Sequence, residues 1–113
     1  MQLRFRNNSG TLLWVCIAFH SPGVCGPYGN WGTRGWWNIY PSGEAYVLNT
    51  NNRYAYFYAE AADGAVWAGP YGPVLAPRHA FDSCWDIMNN VDPRVYMREV
   101  YIPSDRHTVN LTR

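Results

Sequence analysis

Apolar and polar residues alternate along most of this chain, and the dominant period is two, the spacing of a strand. Leu3 and Phe5 alternate with Arg4 and Arg6, which predicts a short strand with one apolar face. Asn7-Asn8-Ser9-Gly10 follows as hairpin chemistry, because Asn and Gly tolerate positive φ. From Thr11 to His20 both faces are largely apolar: Leu13, Val15, Ile17 and Phe19 against Leu12, Trp14, Cys16 and Ala18. Such a strand belongs at the centre of a sheet. Ser21 to Asn30 is rich in Pro and Gly and reads as a long loop, a common seat of function.

Trp31 to Tyr40 is an aromatic strand interrupted by Gly32 and Gly35, which predicts a bulge or a close approach of another backbone. Pro41-Ser42-Gly43 is a turn, Ala45 to Leu48 a brief strand, and Asn49 to Asn52 a further turn. Arg53 to Ala61 alternates cleanly. Ala55, Phe57 and Ala59 are expected inward, with Tyr54, Tyr56 and Tyr58 on a partly exposed face. The opposite assignment also fits, since Tyr buries its ring where its hydroxyl finds a partner. Asp63-Gly64 turns the chain into Ala65 to Gly69, and Pro70 to Pro77, with its prolines, reads as a loop. Phe81 to Asn90 is the one segment with helical character, with Asp82 or Ser83 as cap, so a few turns or at most one short helix is expected near 82–90. Arg94 to Ile102 is a strand with mixed faces. His107 to Leu111 closes the chain with Val109 and Leu111 inward.

About eight or nine short strands separated by turn signals predict an all-β fold, a compact antiparallel β-sandwich or flattened barrel. A length of 113 residues fits one domain, residues 1–113. Aromatic residues make up 17% of the chain, more than one small core hides, so some rings are expected at a binding surface. A net charge of +1 gives no electrostatic footprint for nucleic acid. The opening residues lack the apolar run of a signal peptide, and no stretch reaches membrane-spanning length. The expected setting is therefore cytoplasmic, or export by a route that needs no such signal.

Phe5 to Asn8, Gly35-Trp36-Trp37-Asn38-Ile39 with Pro41 and Gly43, Tyr54 to Glu60, and Trp67 to Gly69 together carry a resemblance. In these the chain resembles the bacterial family called domain of unknown function 1036, over approximately Phe5 to Gly69 and again from Arg94 onward. The resemblance implies a fold and no reaction. Many family members look exported and carry further cysteines, in the first strand and just after the Pro-x-Gly turn. This chain has Arg6 and Glu44 or Ala45 there. Related domains also occur beside other modules, which implies recognition more than catalysis.

Three sets of residues could carry chemistry. His20, Cys25, His79 and Cys84 could make a tetrahedral zinc site, although five-residue offsets fall outside the tight finger spacings. A Cys25–Cys84 bridge between two loops is the second reading of the same cysteines. The expectation is unlinked thiols with exposed histidines. A cysteine nucleophile beside His20, His79 or His107 has no local support. The aromatic surface, Trp31, Arg34, Trp36, Arg53, Tyr54, Tyr56 and Tyr58, is the third set; Trp37 and Trp67 belong either to it or to the core. Flat rings stack on sugars and anchor protein interfaces, and Arg adds directional hydrogen bonds.

These patterns point to a small non-catalytic binding module. Its expected partner is a protein or glycan, met through the aromatic face or the 21–30 and 70–80 loops. A toxin-like secreted or injected effector acting at membranes is the alternative, and a zinc- or thiol-dependent enzyme built on His20, Cys25, His79 and Cys84 is the third.

Overall fold

The computed structural model describes residues 1–113 as two β-sheets packed face to face. The ten strands are β1 (Gln2–Asn7), β2 (Leu13–His20), β3 (Trp31–Ile39), β4 (Glu44–Asn49), β5 (Tyr54–Ala61), β6 (Val66–Trp67), β7 (Tyr71–Leu75), β8 (Phe81–Cys84), β9 (Arg94–Tyr101) and β10 (Arg106–Leu111). The larger sheet runs β7-β9-β5-β2-β3-β8, with β6 beside the end of β5; the smaller runs β10-β1-β4. Every pairing is antiparallel except β1 with β10.

The alternation sets the layers. Leu13, Val15, Ile17 and Phe19 of β2 and Ala55, Phe57 and Ala59 of β5 point toward the smaller sheet. There they meet Leu3, Phe5, Val47 and Leu111 in a closed core. Phe5 and Phe57 touch across the sandwich, ring centroids 5.0 Å apart. The opposite face of the larger sheet carries a second apolar cluster, Cys16, Ala18 and Tyr58, covered by Val74, Ala76, Val95 and Met97. The covering residues come from β7, the residue after it and the first half of β9, so the sheet curls back on itself. β9 serves both layers: Val95 and Met97 face the second cluster, whereas Val100 faces the first.

Of the two features expected from Gly32 and Gly35, a bulge or a close backbone approach, the bulge is present, next to Gly35. Val15 lies opposite Trp37 but Cys16 lies opposite Gly35, so Trp36 is the extra residue. A Cβ on Gly35 would meet Phe81 at 2.7 Å and the Cys16 Cβ at 2.8 Å, and only glycine fits there.

Four expectations are corrected. Asn7 to Gly10 forms a tight turn but no hairpin, since β1 and β2 never pair. The buried Asn7 side chain accepts from the backbone N–H and hydroxyl of Ser9 and donates to the carbonyls of Thr11 and Ile39. These bonds turn the chain from one sheet into the other. Pro70 to Pro77 is not all loop: Tyr71–Leu75 is an edge strand, where a proline costs no ladder bond on the open side. The helix expected near 82–90 is absent. Phe81–Cys84 instead pairs with β3, and Asp82, read as a cap, faces Arg34 at 3.3 Å. The helical turns lie elsewhere, at Pro22–Cys25 and Gly26–Tyr28, inside the expected 21–30 loop.

Candidate functional site

Cys25 and Cys84 are joined in a disulfide that ties the 22–28 turns to β8. This overturns the expectation of unlinked thiols at these two positions. It also removes both sulfurs from the zinc set with His20 and His79, and no group of three or more His, Cys, Asp or Glu is placed to hold a metal ion. Both histidines are exposed. Cys16, the remaining thiol, is fully buried in the central strand, and burial pushes its pKa far above the usual thiol range. A thiol held neutral and dry is no nucleophile.

The aromatic set divides between two faces. Trp31, Trp36, Tyr56 and Tyr58 lie on the curled face of the larger sheet, where Trp36 meets Tyr58 and Phe81 edge-on. Arg34 does not join them. The extra residue at Trp36 reverses the alternation of β3, so Arg34 lies opposite Ile17 and its guanidinium sits over the Phe19 ring at 4.9 Å. Arg53 is spent on structure, donating to the Ile102 carbonyl at 3.0 Å. Within the tyrosine row the exposure is graded. Tyr54 is 46% exposed and pairs with Tyr101, Tyr56 is half-buried, and Tyr58 is only 8% exposed. The curled β7–β9 arm covers that end of the row.

A groove lies beside Tyr58. It has a volume of about 420 Å³ and is lined by Trp14, Trp36, Asn38, Glu60, Arg78 and Ala80. Its geometry follows from the ladder. Asn38 and Glu60 flank Trp14 as its direct partners on β3 and β5, so the three side chains form one row across the sheet. The bulge swings Trp36 in beside that row, and its indole N–H donates to the Pro77 carbonyl at 2.7 Å. That bond holds the 76–80 loop over the groove. Glu60 accepts from the Tyr58 hydroxyl at 2.7 Å through one oxygen and from Arg78 at 3.3 Å through the other. The Arg78 side chain is 73% exposed, so this ion pair adds little stability and a ligand can displace it cheaply.

Trp14, Asn38, Glu60 and Arg78 were not among the expected site residues. Glu60 stands two residues after Tyr58 and so shares its face, a signal readable in advance. Arg78 arrives from a loop, and no sequence spacing announces it.

Burial raises the Tyr58 pKa, and its hydrogen bond to Glu60 raises it further. The sign of the effect on stability is fixed by that direction. An unfolded tyrosine ionises near pH 10, whereas the folded Tyr58 holds its proton beyond it. The stabilisation is therefore whole below about pH 10 and is lost as pH rises past it. Urea midpoints measured from about pH 8 to 11 are expected to fall at the alkaline end, and less steeply in Tyr58→Phe. The slope left in that variant reports Cys16 and Tyr56, which are shifted in the same direction.

Comparison of the chain with models of known families, with curated proteins and with solved structures finds no match.

Proposed function

We propose that this protein is a binding module that takes a glycan in the groove between Trp14 and Trp36. One observation carries the reading: two indoles line a groove together with a carboxylate, an amide and a guanidinium, borne by Glu60, Asn38 and Arg78. Apolar ring faces stack against the C–H face of a sugar, while planar polar groups hydrogen-bond its hydroxyls. A single carboxylate lines this groove, whereas glycoside cleavage ordinarily uses a pair, which supports binding over hydrolysis. The disulfide is consistent with an oxidising compartment.

The test is binding to a panel of immobilised oligosaccharides. At least one is expected to be retained, with Trp14→Ala weakening retention about tenfold or more and Glu60→Gln also weakening it. Tyr54→Ala, outside the groove, is expected to leave it unchanged. No retention of any saccharide, or retention that survives Trp14→Ala, would refute the reading.

A further inference from the structure

A second cavity on the same face, of about 190 Å³, is lined by Gly29, Trp31, Tyr56, Trp85 and Asp86. It shares no residue with the glycan groove. Tyr56 stands edge-on to both indoles, 5.4 Å from Trp31 and from Trp85, at interplanar angles of 70° and 79°. Adjacent walls are thus close to perpendicular, as in a box.

Aromatic faces carry the negative lobe of the ring quadrupole, and Asp86 adds a full negative charge at the same cavity. None of the lining residues is basic, and His20 lies outside them, edge-on to Trp31 with ring centroids 5.4 Å apart. Lysine is absent from the sequence. The arginines that lie over rings do so elsewhere, Arg4 over Tyr46, Arg34 over Phe19 and Arg98 over Phe57. A metal ion would need several oxygen, nitrogen or sulfur donors, and the cavity offers one carboxylate. A primary ammonium is strongly hydrated and needs hydrogen-bond acceptors that ring faces lack. A methylated ammonium instead presents a diffuse charge behind apolar methyl groups, which suits aromatic walls.

The box is built rigidly. The Trp85 backbone N–H donates to the Trp31 carbonyl at 2.8 Å, and Gly32 lies opposite Cys84 in the β3–β8 ladder. The Cys25–Cys84 disulfide clamps that ladder to the loop that supplies Gly29. The Tyr56 hydroxyl donates to Glu99 at 3.2 Å, fixing the third wall. We propose that this cavity is a binding site for a quaternary ammonium group, of the kind carried by choline.

The test follows the tryptophan indole N–H signals of isotope-labelled protein by NMR. The probes are choline chloride and tetramethylammonium chloride. Sodium chloride and dimethylbutanol, the uncharged carbon isostere of choline, serve as controls. Saturable shifts of the Trp31 and Trp85 signals are expected with both cations, and binding at least about tenfold weaker with the isostere. Trp85→Ala is expected to abolish the shifts at Trp31, and Trp14→Ala to leave them. Asp86→Asn, at an exposed position, is expected to weaken binding several-fold without touching the fold, so the test survives if Trp85→Ala misfolds. Equal binding of the isostere, no saturation, or shifts confined to Trp14 and Trp36 would overturn the proposal. With choline bound, vesicles of phosphatidylcholine sort its source. Co-sedimentation weakened by Asp86→Asn in step with the choline shifts assigns a lipid headgroup, and no co-sedimentation assigns a soluble ligand.

Discussion

Phe57→Ala is expected to lower the free energy of unfolding by about 3–5 kcal/mol, the usual cost of removing a large buried ring. Phe57 is 1% exposed and stands where the two sheets meet, with Phe5 across the gap and Ile17 beside it on β2. Its neighbours along β5 on that face, Ala55 and Ala59, are too small to lean into the vacancy. Sheets on both sides hold their spacing through ladder bonds, so the void would stay open, and an open void is what places a substitution at the upper end of this range. Urea unfolding checks the value. Phe57→Leu, which keeps most of the volume, is expected to cost about 1.5 kcal/mol or less. Adding Phe5→Ala to Phe57→Ala should cost less than the sum of the single changes, because the two vacancies merge into one.

Replacing Cys25 and Cys84 together with alanine is expected to cost about 2–4 kcal/mol. The bridge closes a loop across 59 positions of sequence, so most of the loss comes from an unfolded chain set free to expand. That origin has its own signature: the dependence of stability on urea should steepen, since more surface is exposed on unfolding. A local effect is expected as well. β8 spans only four residues and pairs with β3 alone, so it is an edge held largely by the bridge. Without the bridge, amide exchange should rise first at Phe81–Trp85 and in the 22–28 turns.

How far the sequence revealed these features depends on what each one rests upon. The alternation of β5 and the two apolar faces of β2 are local patterns that periodicity displays directly. Which row of β5 turns inward is instead decided by the packing of the smaller sheet. Gly32 and Gly35 marked an irregularity, a bulge or a close backbone approach, and the register of β2 with β3 places the bulge beside Gly35. β7 and β8 were hidden for a shared reason. Edge strands need only one paired side, so they tolerate Pro73 and Asp82, residues that elsewhere mark a loop and a helix cap. Arg34 was placed on the wrong face because one inserted residue reverses every side chain beyond it. The groove was half visible. Trp36 belonged to the expected aromatic face, but the row Asn38–Trp14–Glu60 exists only once the register of three strands is known. Arg78 and Trp85 depend on loops brought in by long-range contacts, the Trp36–Pro77 bond and the disulfide.

The parallel pairing of β1 with β10 sets the order in which a growing chain can finish. Gln2 must wait for Arg106, and Asn7 for Leu111, before either strand finds this neighbour. A ribosome releases β1 well before β10, so one flank of β1 stays vacant until β10 has emerged. β4 can shelter the other flank much earlier. The nascent chain therefore carries an unfinished sheet rim until Arg106–Leu111 is made. Chain fragments stalled before Arg106 should be sticky, and drawn to chaperones, in a way that the released protein is not.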